Sequence, residues 1–169
     1  MSHFSPSSYS AVQKLAHWTI AILCIAEFPT AGAIRRTHHV NPFGIKATTL
    51  DLLLHKMHAW SGWVVLLLAV MLLLLRLIRG APELPQGMTT LQRGLARLGH
   101  VALYAGILIL VVTGTLAAYV SPRFSPMHIY FTYLGIGFVA VHAAAALWHQ
   151  FIRRDNLLSR MLPKMTRRE

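Results

Sequence analysis

Residues 128–152, HIYFTYLGIGFVAVHAAAALWHQFI, read as one apolar helix long enough to cross a bilayer, yet three histidines lie in it. A hydrocarbon crossing takes about 20 helical residues, and this stretch supplies them without a single Asp, Glu, Lys or Arg. Imidazoles at membrane depth need partners, so the fold must bring something to His128, His142 and His149. At 100° and about 1.5 Å per residue, the 14 steps from His128 to His142 make roughly 1400°, within about 40° of four full turns, and separate the two rings by ~21 Å along one face. His149, seven residues on, falls on nearly the same line. Gly135, halfway between the first two, is expected to leave room for something bulky against the helix.

Three further apolar runs, residues 15–33, 52–75 and 98–120, accompany the fourth at 129–152. With 55% hydrophobic and only 12% charged residues among 169, the composition is that of an integral membrane protein. The expectation is an all-α, four-helix transmembrane bundle forming one domain over residues 1–169, with any chemistry inside the bundle or at its two faces. The short connection SPRFSP (121–126) makes the third and fourth spans antiparallel neighbours. The loop over 34–51 contains Asn-Pro and Gly and should be irregular. Thr89 or Thr90 is the candidate cap of the third span. The first span is expected to be retained: its leading segment is weakly charged, Glu27 interrupts the apolar run, and three more spans follow. The lone Cys24 cannot form an internal disulfide and says nothing about compartment.

Lysines and arginines orient the bundle. If the N-terminus is cytoplasmic, that side holds Lys14, Arg76, Arg79, Arg93, Arg97, Arg153, Arg154, Arg160, Lys164, Arg167 and Arg168. The opposite side holds Arg35, Arg36, Lys46, Lys56 and Arg123. The bias predicts both termini inside, in a multi-pass protein of the bacterial inner membrane. The +11 net charge is then mostly topological and calls for no nucleic-acid partner. The basic tail after Arg153 is accounted for by contact with anionic membrane lipid.

Histidines recur at matching depths. His17 lies near the cytoplasmic start of the first span and His58 near the outer end of the second. Antiparallel threading sets His17 level with His142, and His58 level with His128. Zinc would want four ligands close together, with thiolate or carboxylate company. Two separated imidazole pairs between facing helices instead suit two iron porphyrins, each held axially from both sides. With both axial positions filled, oxygen cannot bind the iron, and outer-sphere electron transfer is the chemistry left.

Here the residues meet a known pattern. HAWSGW (58–63), LLRLIRG (74–80), the 14-residue step from His128 to His142, HAAAALWHQF (142–151) and RDNLLSRMLP (154–163) together resemble the bacterial cytochrome b561 family. Cytochrome b subunits of nickel-iron hydrogenases share that pattern, and the likeness runs over essentially the whole chain. It implies two haem b groups, with His17 and His142 as axial ligands of one iron and His58 and His128 of the other. His55 also meets the family's His-Lys pattern, whereas Gly62 and Arg76, four and eighteen residues after His58, favour His58. The likeness is greatest to the short stand-alone members that pass electrons from superoxide to ubiquinone. A rival reading is an anchor subunit taking electrons from a hydrogenase or dehydrogenase partner.

Either role needs a donor and an acceptor. Arg35, Arg36, Lys46 and Lys56, with Arg123, make the outer face cationic, and His38 and His39 lie among them. Snorkelling to lipid phosphates accounts for such groups about as well as function does, but a positive mouth would also attract superoxide. On the inner face His149 and Arg153 are candidate contacts for a quinone, whose oxygens want donors and a proton route of the kind imidazole supplies. His100 is expected at haem propionates or lipid headgroups. Glu27 is expected near the outer boundary, protonated or paired, with no catalytic part. The leucines at 66–68 and 72–75 are packing or lipid-facing residues.

Overall fold

A computed structural model describes residues 8–37, 46–85 and 87–162. Four long helices make up the chain: α1 (Ala11–Thr37), α2 (Thr49–Arg79), α3 (Thr90–Tyr119) and α4 (Ser125–Trp148). All four, α4 together with the turns flanking it, are long and apolar enough to cross a membrane. His38 and His39 lie outside the described residues.

The helices run past the apolar stretches because different forces set the two limits. Hydropathy marks the hydrocarbon, but capping marks where the helix stops. At the start of α2 the Thr48 hydroxyl accepts from the Asp51 backbone N–H while the Asp51 carboxylate accepts from the Thr48 N–H. Thr89 and Gln92 make the same reciprocal pair at the start of α3, which settles the cap on Thr89 and satisfies orphan donors in the first turn. The 34–51 loop is accordingly shorter than its Asn-Pro and Gly suggest: residues 34–37 close α1 and 49–51 open α2. A 3₁₀ turn at Pro122–Phe124 joins α3 to α4. The chain after α4 passes through a π turn, His149–Arg153, and reverses at Arg154 and Asn156, both with positive φ.

Two hairpins result. Backbone approach is closest between α1 and α2 and then between α3 and α4; α2 also meets α3, while α4 makes no comparable approach to α1 or α2 among the described residues. Most of the buried apolar residues belong to α1 and α2: Ala16, Ala33, Val65, Ala69 and Leu72. Small residues there let two backbones come close, which is how helices associate in lipid. No residue of α4 is buried. The large apolar side chains left exposed, such as Leu77, Ile78, Trp60 and Tyr119, face the hydrocarbon and its interfaces in a membrane-spanning bundle.

The end where α1 begins and α4 ends is called proximal below, and the end that carries the Pro122–Phe124 turn distal. At the proximal end the segment after α4 straps back over the bundle. Lys14 Nζ donates to the Leu162 carbonyl (2.8 Å) and Trp18 Nε1 to that of Met161 (3.0 Å). Arg160 donates to the Glu83 carbonyl of the α2–α3 connection. The tail as far as Leu162 is therefore tied to the protein by these bonds; residues 163–169 lie outside the described part. At the distal end Arg36 joins the last turn of α1 to Asp51 in the first turn of α2, through Nε (2.8 Å) and a terminal nitrogen (2.6 Å).

Candidate functional site

Four histidines from three helices meet as two pairs in the gap between the hairpins. At the distal level the rings of His58 (α2) and His128 (α4) have centroids 6.3 Å apart with planes at 79°. At the proximal level His17 (α1) and His142 (α4) stand 6.2 Å apart at 60°. His55, one turn before His58, has its Nδ1 2.8 Å from the Thr37 hydroxyl and is not the ring that meets His128.

Each distal ring is held from behind by the other helix of its own hairpin. For His58 that helix is α1: Nδ1 is paired with Glu27 Oε2 and lies 3.0 Å from the Thr30 hydroxyl. Ser61 Oγ sits 2.5 Å from Glu27 Oε1, fixing the carboxylate. For His128 the helix is α3: Nδ1 lies 3.0 Å from the Leu110 carbonyl and 3.2 Å from the Thr113 oxygen. The Thr113 hydroxyl itself donates back to Ile109 (2.7 Å), so Nδ1 is the donor in both contacts. Gly114 completes this seat, since a Cβ there would come within 3.1 Å of His128 Cε1. With Nδ1–H committed, the tautomer of each ring is fixed and Nε2 is left with its lone pair.

The proximal level carries a third imidazole. His100 of α3 donates Nδ1–H to its own helix at the Ala96 carbonyl (2.7 Å) and stands edge-on to His142, centroids 5.4 Å apart. Its neighbour among the described side chains is thus the His142 ring. Just beyond, in the π turn, His149 Nδ1 lies 2.5 Å from Asp155 Oδ2. Arg153 reaches across to the Gly87 carbonyl (3.2 Å) and Gln92 Oε1 (3.3 Å).

The profile of the prokaryotic cytochrome b561 family matches residues 8–164. The chain belongs to that family. Among curated relatives, cytochrome b561 homolog 1 of Escherichia coli K12 is 29% identical over 178 aligned positions, covering 92% of this chain and 97% of the relative. The protein is thus a multi-pass bacterial membrane cytochrome of the b type, working in electron transfer with haem b.

The residues present fit such a group. Two nitrogen–metal bonds of about 2.0 Å in line, each ring centre about 1.1 Å behind its nitrogen, place imidazole centroids roughly 6.2 Å apart. Both facing pairs meet that spacing. His100, nearer and edge-on to His142, does not. Among the described residues no cluster of three or more His, Cys, Asp or Glu side chains could hold a bare metal ion, so the donor set favours a planar macrocycle between paired rings over a zinc-type centre.

Other expected residues fall as follows. Arg35, Lys46, Lys56 and Arg123 are exposed at the distal end, but Arg36 is engaged by Asp51. At Gly135 a Cβ would meet only Leu110 of α3, at 3.5 Å, an ordinary contact distance. Sequence reasoning missed Gly114, Thr113 and Asp155, and it gave Glu27 no partner by name. The one available signal was heptad-like: Thr30 and Glu27 stand a turn apart on α1, on the face that meets α2.

Proposed function

We propose that the chain is a single-domain di-haem cytochrome that oxidises superoxide at its distal, periplasmic face and reduces ubiquinone from its proximal side. The observation that carries this reading is the pair of imidazole couples at two depths, 6.2 and 6.3 Å apart. His17 with His142, and His58 with His128, would hold one haem each. Held between such imidazole pairs, haem would supply one-electron transfer between ferric and ferrous iron without binding oxygen. The lysine and arginine bias supports both termini on the cytoplasmic side, which sets the distal end outward.

At the distal face Arg35, Lys46 and Lys56 draw in a small anion; Arg36, held by Asp51, contributes less. Two superoxide anions each lose one electron and leave as dioxygen. One quinone takes those two electrons with two protons and leaves as quinol, so charge and atoms balance. At the proximal side His149, its Nδ1–H held by Asp155, would take a proton from water on Nε2 and pass it to a reduced quinone oxygen. Arg153, tied to Gly87 and Gln92, positions the π turn that carries His149.

The test is an absorption spectrum of the purified protein, oxidised and dithionite-reduced, with haem counted per chain, followed by mixing with a superoxide source and a soluble quinone. Two b-type haems per chain and quinone-dependent bleaching of superoxide by the isolated protein are expected. A colourless protein overturns the reading. Coloured protein that copurifies with a large dehydrogenase and is inert to superoxide transfers the role to an anchor subunit.

A further inference from the structure

A carboxylate at membrane depth is costly and is retained only with partners. Glu27 has three: its Oε2 pairs with His58 Nδ1, its Oε1 lies 2.5 Å from Ser61 Oγ, and its Oε2 lies 3.5 Å from the Thr30 hydroxyl. Side-chain exposure is 22% for both Glu27 and His58, so water does little to screen the contact.

Among the described residues, none of the other three paired imidazoles is bonded to an acid. His128 donates to a neutral carbonyl and lies near a hydroxyl. Among the described residues no hydrogen bond engages Nδ1 of His17 or His142; their ring neighbours are Trp18 and His100. Of the described acids at the proximal end, Asp155 is spent on His149 and Glu83 lies in the α2–α3 connection, outside the helices that carry the paired rings. The two levels are therefore electrostatically unequal.

We infer that Glu27, by accepting the Nδ1–H of His58, makes the distal haem site the more reducing of the two and so directs electrons from the distal to the proximal side. This rests on the reading of the facing imidazoles as axial ligands. Two effects act with the same sign. A charged acceptor on Nδ1–H pushes electron density onto Nε2 and strengthens it as a donor to the metal. The negative charge nearby also favours the more positive, oxidised iron. Glu27 is a positioning residue: it touches the ligand, never the substrate. Ser61 moderates it, since a hydroxyl donor on Oε1 withdraws part of the carboxylate charge.

The test is a spectroelectrochemical titration of the detergent-purified full chain, with haem counted by pyridine haemochrome. Wild type should show two one-electron waves. Glu27→Gln should move the lower wave upward by about tenfold in the reduction equilibrium, 59 mV for one electron, and leave the higher wave in place. Glu27→Asp should restore most of the difference. Ser61→Ala, which leaves the carboxylate more strongly charged, should move the lower wave the opposite way, and it serves alone if Glu27→Gln fails to hold haem. An unmoved lower wave, or a shift confined to the higher one, overturns the inference while two haems per chain keep the functional reading intact. Absence of haem from the wild type overturns the functional reading itself.

Discussion

Replacing Gly114 by alanine tests the seat of His128 directly. The new Cβ would lie 3.1 Å from His128 Cε1 and 3.3 Å from Nδ1, closer than carbon and nitrogen normally approach. The ring cannot retreat freely, because Nδ1 is held at 3.0 Å from the Leu110 carbonyl, and a lost hydrogen bond of that kind costs about 1 kcal/mol. Overpacking of this sort costs roughly 1–3 kcal/mol in all. Alanine also favours the helix over glycine by up to about 1 kcal/mol, so the raw change in stability is a difference of two opposed effects. Gly106→Ala on the same helix separates them, since nothing lies within 4 Å of a Cβ there. Relative to that control, Gly114→Ala should weaken retention of the distal haem by about 5- to 150-fold. The assay is haem per chain during dilution into haem-scavenging apomyoglobin. Identical haem loss from the two variants would refute the placement of His128 against α3 as the base of a ligand site.

Further outcomes follow from the same geometry. His58→Ala should reduce haem from two to one per chain while His55→Ala leaves both; equal loss from each would reassign the ligand. His149→Ala should slow quinone reduction by about 10²-fold and Asp155→Asn by a smaller factor, with haem content normal, and unchanged quinone kinetics in His149→Ala would remove the proton relay. Raising ionic strength from about 0.01 to about 0.15 M shortens the screening length from ~30 to ~8 Å. That should slow superoxide oxidation several-fold, and Lys46→Glu with Lys56→Glu should flatten the dependence; a salt-independent rate excludes electrostatic attraction at the distal face.

The depth of the histidines was legible in the chain because it depends only on helical rise and antiparallel threading. The two levels follow from those two facts, and the four spans from hydropathy. Rotation about each helix axis is different. It decides whether His55 or His58 faces α4, and whether Glu27 faces His58 or lipid, and it is set by how α1 packs on α2, where Ala16, Ala33, Val65 and Ala69 are buried, which no single run of sequence encodes. Gly114 stayed hidden for the same reason: one glycine among several in apolar helices has no mark that tells which neighbour it admits. The His149–Asp155 contact depends on the π turn, a local backbone choice invisible to a 3.6-residue period. The Thr48–Asp51 cap, by contrast, could have been read from its spacing alone.

The separation of His128 from His142 along α4 has an electrical meaning. About 21 Å is some two thirds of a hydrocarbon layer about 30 Å thick, so charge handed from one level to the other crosses most of the field. With the distal end outward, each electron carried inward works against an inside-negative voltage, at about 1.6 kcal/mol per 100 mV. On the proposed function turnover would then be electrogenic: scavenging a reactive anion would charge the membrane, and a fully charged membrane would slow the scavenging.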